Sequence, residues 1–155
     1  MNFMPDENVN RWKQQGHVYF WRYVENTRNY PGWHLTADKT FCDGFADLTD
    51  RMLNAPYNCQ KSLTVTLPTK EVLRVPNNHG GSAGWKAPKL LILKHQKDNV
   101  SKYYSLLEEI ENTVILGLSR RNLEELKECV SEIPHGKGDY SIEIGDTVLW
   151  FWWLI

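Results

Sequence analysis

Between Lys61 and Leu67 the chain alternates without a break, with Leu63, Val65 and Leu67 set against Ser62, Thr64 and Thr66. Side chains of an extended chain point to opposite faces in turn, so this pattern predicts a strand with one buried side. A different period governs Phe41, Phe45, Leu48 and Met52, which recur at spacings of four, three and four. That places them in one stripe of a helix over about residues 37–53, with Thr36 as N-cap and Asp38 in its first turn. Gly44 inside the stripe invites a close-packing explanation.

Three further helices follow from the same logic. Asp6 caps a short helix carrying Val9 and Trp12 that stops near Gly16. Asp98 caps a helix over 99–111 with Val100, Tyr103, Leu107 and Ile110 on one face. Ser119 caps the last helix, whose stripe is Leu123, Leu126, Val130 and Ile133.

Strand chemistry marks 17–24, where His-Val-Tyr-Phe-Trp-Arg-Tyr-Val is aromatic and β-branched. Glu71–Val75 reads as a strand paired in a hairpin with 61–67 across Pro68-Thr69. Leu90–Leu93 is an unbroken apolar run fit for a central strand, and 113–118 is β-branched and apolar. Tyr140–Ile144 and Thr147–Leu154 flank Gly145-Asp146, which predicts a hairpin. The segments 26–33, with Asn-Tyr-Pro-Gly, and 76–88, with three Gly and two Pro, read as loops.

The expected fold class is α+β: a single domain over 1–155, with one mixed, mostly antiparallel sheet of about five to seven strands and three to four helices packed on it. A chain of 155 residues is long enough for a core that needs no metal or disulfide.

Charge narrows the classes of partner. The formal net charge is −1, with neither a basic nor an acidic tail, so nucleic acid is not the expected target. The longest apolar run, Val148–Ile155, has eight residues, far short of the ~20 a membrane-spanning helix needs. The first dozen residues hold Asp6, Glu7 and several Asn, unlike a signal peptide. Cys42, Cys59 and Cys129 are odd in number and widely spaced, which predicts unpaired thiols in a cytoplasmic setting. No cofactor and no metal site is expected: none of His17, His34, His79, His95 and His135 has a partner at ligand spacing.

Candidate chemistry is sparse. Gly80-Gly81-Ser82-Ala83-Gly84 fits Gly-x-Ser-x-Gly, but Pro76–His79 separates it from a strand and Trp85–Pro88 from a long helix, as a nucleophile elbow cannot allow. His34, Asp38 and Cys42 lie four apart, yet the N-cap falls between His34 and the helix, so the three share no helical face. Lys86, Lys89, Lys94, Lys97 and Lys102 cluster, and read as a solvated edge before a phosphate-binding patch. Glu108, Glu109, Glu111, Glu124, Glu125, Glu128 and Glu132 give the two C-terminal helices an acidic face able to meet a basic partner. Leu149–Ile155 is apolar on both faces, which predicts a central strand; at an edge it would instead offer a homodimer contact.

The chain contains seven Trp and seven Tyr. Tyr30, Trp33, His34, His79 and Trp85 fall in the two loops, and loop aromatics are the expected binding residues. The reading that follows is a non-catalytic intracellular protein-binding module, of the inhibitor or toxin-neutralising kind, with a protein partner. The competing readings are a small hydrolase-like enzyme using His34 or His79 as general base, and a small-ligand domain with a Trp stacking platform.

Overall fold

The computed structural model describes residues 7–24, 31–74, 84–96, 105–136 and 140–153. In chain order the elements are α1 (Glu7–Arg11), β1 (Val18–Tyr23), β2 (Trp33–Ala37), α2 (Lys39–Asn54), β3 (Cys59–Thr64), α3 (Lys70–Arg74), β4 (Trp85–Lys86), β5 (Leu90–His95), β6 (Leu106–Ile110), β7 (Thr113–Leu118), α4 (Arg120–Glu132), β8 (Tyr140–Ile144) and β9 (Thr147–Phe151). A single 3-10 turn, Ile133–His135, ends α4.

The fold is α+β, as the patterns predict, but its strands divide between two mixed sheets instead of one. The first has the order β4-β1-β2-β9-β8 and the second β3-β5-β7-β6. Only β2–β9 and β5–β7 pair in parallel; the remaining ladders are antiparallel. A lone bridge, Val18 to Val65, joins the sheets where β1 begins and β3 ends. One contiguous core draws Phe20, Leu35 and Phe151 from the first sheet, Leu91, Leu93 and Leu116 from the second, Phe41, Phe45 and Leu48 from α2, and Leu123 and Leu126 from α4. Since neither sheet could bury its apolar face alone, the two helices and the opposing sheet close that core together.

The stripes on α2 and α4 are buried as their periods require, and Ser119 caps α4 by accepting from the Asn122 amide. β5 is central, between β3 and β7. β8 and β9 form the hairpin around Gly145-Asp146. β9 lies between β2 and β8, so the edge position that the homodimer reading required is not met. Leu149 and Phe151 enter the main core, while Trp150 and Trp152 face a second cluster.

Three expectations are corrected. The N-cap of α2 is Asp38, not Thr36: β2 runs to Ala37 and claims Thr36, whose buried hydroxyl donates to the Trp152 carbonyl at 2.7 Å. Asp38 Oδ1 accepts from the Phe41 amide and Oδ2 from the His17 amide, both at 2.9 Å, so one carboxylate ties the helix start to the entry of β1. Residues 70–74 form a helix, not a second hairpin strand. Thr69 Oγ1 accepts from the Val72 amide at 3.2 Å, and Val72 and Leu73 are both buried, which adjacent residues of a one-sided strand cannot be. Residues 106–110 are β6, not the end of a helix. The turn at Glu111-Asn112, with Glu111 at φ 54°, folds the chain back onto β7, and the ladder from Ile110–Thr113 to Leu106–Gly117 satisfies the backbone. The helix start expected at 98–104 lies outside the described residues. At Gly44 an added Cβ would meet only the Trp12 ring at 4.0 Å, an ordinary contact; the Trp12 indole N–H donates to the Gly44 carbonyl at 3.0 Å.

Candidate functional site

The structure places the sequence-nominated residues unlike the expected loop cluster. Tyr30 and His79 lie outside the described residues, as do 80–83 of the Gly-x-Ser-x-Gly stretch. Trp33 and His34 are strand residues of β2, which is buried at all five positions. Trp33 stacks on Phe20 with ring centroids 4.8 Å apart, and the Arg22 guanidinium lies over its ring at 5.7 Å from the centroid. His34, wholly buried, stacks against Trp21 and Trp152 and meets Tyr23 edge-on at 5.1 Å. Neither is a loop anchor, because β2 is flanked by β1 and β9 and covered on both faces. Trp85 is 37% exposed and sits on β4, opposite Tyr23 of β1. The described parts of the two loops therefore fall on β4 and β2, one on each side of β1.

His34 belongs to a second aromatic cluster on the outer face of the first sheet, formed by Trp21, Tyr23, Val72, Leu73 and Trp152. Strand alternation builds it: Phe20 points into the main core, so Trp21 and Tyr23 share a side with His34 only where β2 alternates in step with β1. α3 roofs the cluster, held by the Tyr23 hydroxyl, which donates to the Leu73 carbonyl at 2.8 Å. Burial pushes the Tyr23 phenol pKa up, with a smaller opposing effect from Trp21. The Trp152 indole N–H donates to His34 Nδ1 at 3.0 Å, which engages the lone pair a general base would use there.

The remaining nominated chemistry is structural. Asp38 caps α2, and Cys42 is buried, its thiol pushed up to about 12 by burial and by Asp38 and Asp43. A thiol so far from ionisation is not a nucleophile at neutral pH. His95 is buried with Nδ1 2.8 Å from the Leu118 carbonyl, and His17 pairs with Thr66 at the surface. No group of three or more His, Cys, Asp or Glu able to hold a metal occurs among the described residues. Of the lysine cluster, Lys86 pairs with Glu109 at 2.9 Å; Lys97 and Lys102 lie outside the described residues. No helix among the described residues is long and apolar enough to cross a membrane.

The acidic residues fall on a strand, a turn and one helix instead of two helices, with Glu111 in the β6–β7 turn. Glu108 and Glu109 are on β6, where Glu109 bridges Arg22 and Lys86. Burial opposes ionisation of Glu109, but hydrogen bonds from Lys86 and Arg22 and their charges outweigh it and hold the carboxyl below its usual value. Glu124, Glu125, Glu128 and Glu132 are on α4. Arg120 pairs with Glu124 at 2.9 Å, and Lys127 reaches Asp50 on α2 at 2.7 Å, so these two cations of the helix are drawn to its other flanks, while Arg121 stays beside a groove between α4 and β8.

What the helical spacing leaves together is Glu125, Glu128 and Glu132, at i, i+3 and i+7, facing β8. There, two adjoining cavities of about 230 and about 630 Å³ share Glu125, Ser141 and Ile142 and form one open groove between α4 and β8. Tyr140, 41% exposed, stands at one end, and Ser105, Arg121 and Gly145 at the other. Asn122 ties helix to strand, its Nδ2 donating to the Glu143 carbonyl at 3.2 Å and to Glu125 Oε1 at 3.3 Å. Cys129 lines the groove, and its thiol is pushed up to about 11 by burial and then by Glu128, Glu125 and Glu132. Burial is the largest cause of that shift, and the three carboxylates add to it in the direction a negative potential inside the groove requires.

The acidic residues of α4 are visible in the sequence, but their convergence on β8 is not, because it depends on strand order. No protein-family model, no curated protein and no solved structure matches this chain.

Proposed function

We propose that the protein is a non-catalytic binding module, of the inhibitor or toxin-neutralising kind, that takes a basic segment of a partner protein into the groove between α4 and β8. The observation that carries this reading is the convergence of Glu125, Glu128 and Glu132 on one open groove with an exposed tyrosine at its end. Carboxylates in excess on a concave surface, here Glu125, Glu128, Glu132 and Glu143 against Arg121 alone, raise the local concentration of cationic partners and penalise wrong ones. Tyr140 supplies an amphipathic contact of the sort enriched at interfaces. The three cysteines, with no disulfide among them, fit an intracellular setting.

The test is selection of short displayed peptides on the folded protein, followed by titration of the selected peptides at low and high salt. Lys- and Arg-rich binders are expected, weakened at least tenfold by Glu125→Lys with Glu128→Lys, and weakened by salt. Binders without a basic bias, or binders indifferent to the charge reversal, overturn the proposal.

A further inference from the structure

The two sheets have four edges among the described residues, and on three of them a side chain, a short strand or a turn interrupts the outer main chain. At β3 the Gln14 side chain behaves as a piece of strand: its Nε2 donates to the Thr64 carbonyl at 2.9 Å and its Oε1 accepts from the Thr64 amide at 2.8 Å. β4 is two residues long. Along β6 the β8–β9 turn lies against one end, where the Gly145 amide donates to Ser105 Oγ at 2.9 Å, and Glu109 is bridged to Arg22 and Lys86 at the other.

β8 is different. Ile144 and Thr147 flank the two-residue turn and form its hydrogen-bonded closing pair. Bonded and non-bonded pairs alternate along an antiparallel ladder, so Ile142–Leu149 is bonded and Ser141–Trp150 and Glu143–Val148 are not. The N–H and C=O groups of Ser141 and Glu143 therefore point away from β9, into the groove. The bond from Asn122 to the Glu143 carbonyl confirms that direction. It also occupies that one acceptor, so the Ser141 N–H, the Ser141 C=O and the Glu143 N–H are the edge groups that line the groove without a partner among the described residues.

We infer that the occupant of the groove is an added strand: a basic, extended segment of a partner protein pairs its main chain with the outer edge of β8 while its cationic side chains meet the carboxylates of α4. This rests on the binding role proposed for the groove. An open edge recruits a strand through its main chain, and charge chooses which one. Pairing of β8 with β8 of a second copy is disfavoured, because it would bring Glu143 and the α4 carboxylates of both copies together.

The experiment uses a basic peptide selected as above and a series of its singly N-methylated versions. Removing a peptide N–H that bonds to the edge is expected to weaken binding roughly tenfold, and removing its neighbours' to leave it within about twofold, giving a period of two along the peptide. Slower hydrogen exchange at the Ser141 and Glu143 amides on peptide addition is expected alongside. Ser141→Pro deletes an outward donor that the β8–β9 ladder does not use, and is expected to abolish binding, while Ser141→Ala retains it. Should Ser141→Pro fail to fold, the methylation series still decides. A peptide that binds with the charge dependence above but shows no two-residue period and no amide protection overturns strand addition and leaves the groove reading standing. Failure to obtain any basic binder overturns both.

Discussion

Cys129 is a built-in reporter of the field in the α4–β8 groove. Its thiol is pushed up to about 11 from an ordinary 9.0, first by burial and then by Glu128, Glu125 and Glu132. At pH 8 that leaves about a hundredfold less thiolate than an ordinary cysteine carries, and the thiolate is the reactive species. A thiolate of higher pKa is also the better nucleophile, with a Brønsted slope of about 0.4–0.5, so the net slowing is roughly ten- to fifteenfold. Neutralising two of the three carboxylates by Glu125→Gln with Glu128→Gln is expected to recover about two- to fivefold of that, since burial remains as the larger cause.

The assay is stopped-flow reaction with a neutral aromatic disulfide at low ionic strength, over a pH series. A neutral reagent is needed so that the groove's charge acts on the thiol and not on the reagent. Cys42 and Cys59 are buried, so Cys129, which is half-buried, provides the native-state phase. High salt should mimic the double variant in part, because exposed carboxylates are screened within about 10 Å at 0.1 M. A reaction midpoint near 9, or a rate that ignores the double variant, would falsify the claim that these carboxylates set a negative potential in the groove. The proposed basic partner would then lose its physical basis.

Three further outcomes test the fold. Asp38→Ala removes both the α2 cap and the bond to the His17 amide; a loss of about 2–3 kcal/mol is expected in urea unfolding, with Asp38→Asn losing about half of that, and a loss under about 0.5 kcal/mol for the alanine variant would refute the double role. Gly32→Ala is expected to cost about 3 kcal/mol or more, because φ is +109° and a Cβ would stand 2.3 Å from the Val148 carbonyl oxygen, in the β2–β9 approach; a Tm within a degree of the parent would contradict it. The raised thiols make stability fall in alkali: the fold favours the neutral form, so their contribution is intact below pH 9.0 and is lost as pH climbs toward about 11 for Cys129 and about 12 for Cys42, and a Cys42→Ala, Cys129→Ser variant should show a flatter alkaline limb in pH-dependent denaturation.

The sequence exposes those elements that keep one periodic face in solvent. α2 and α4 do, and their stripes are buried where the spacing puts them. β1, β5 and β7 are legible from residue type. β2 is not, because a strand buried on both faces has no alternation, and Pro31-Gly32 just ahead of it reads as a loop. α3 is too short for a helical period to show, and its β-branched Val72 argues for a strand. β6 carries Leu107 and Ile110 at helical spacing, and only its pairing with β7 decides otherwise. The split into two sheets rests on which strands meet, which no local pattern encodes. The same holds for the groove: the glutamates of α4 are plain, but β8 becomes an edge only through the order β4-β1-β2-β9-β8.

The aromatic richness of the chain has a structural explanation that changes where recognition falls. The middle of the first sheet, at β1 and β2, buries both faces, one against the main core and one under α3, and indole rings fill the second layer. Trp12, Trp21, Trp33 and Trp152 are buried at 5% exposure or less, and Trp150 and Trp153 are partly buried against the two clusters. Trp85, on a two-residue edge strand, is the most exposed of the seven at 37%. An interface anchored by tryptophans is thus closed off by the same packing that holds the sheet. What lines the open groove is chiefly carboxylate, with one tyrosine, one arginine, short polar side chains and the main chain of β8. Recognition through such groups depends on charge and backbone geometry more than on side-chain shape. A partner segment would then be defined by being extended and cationic, with tolerance for its sequence and marked sensitivity to salt.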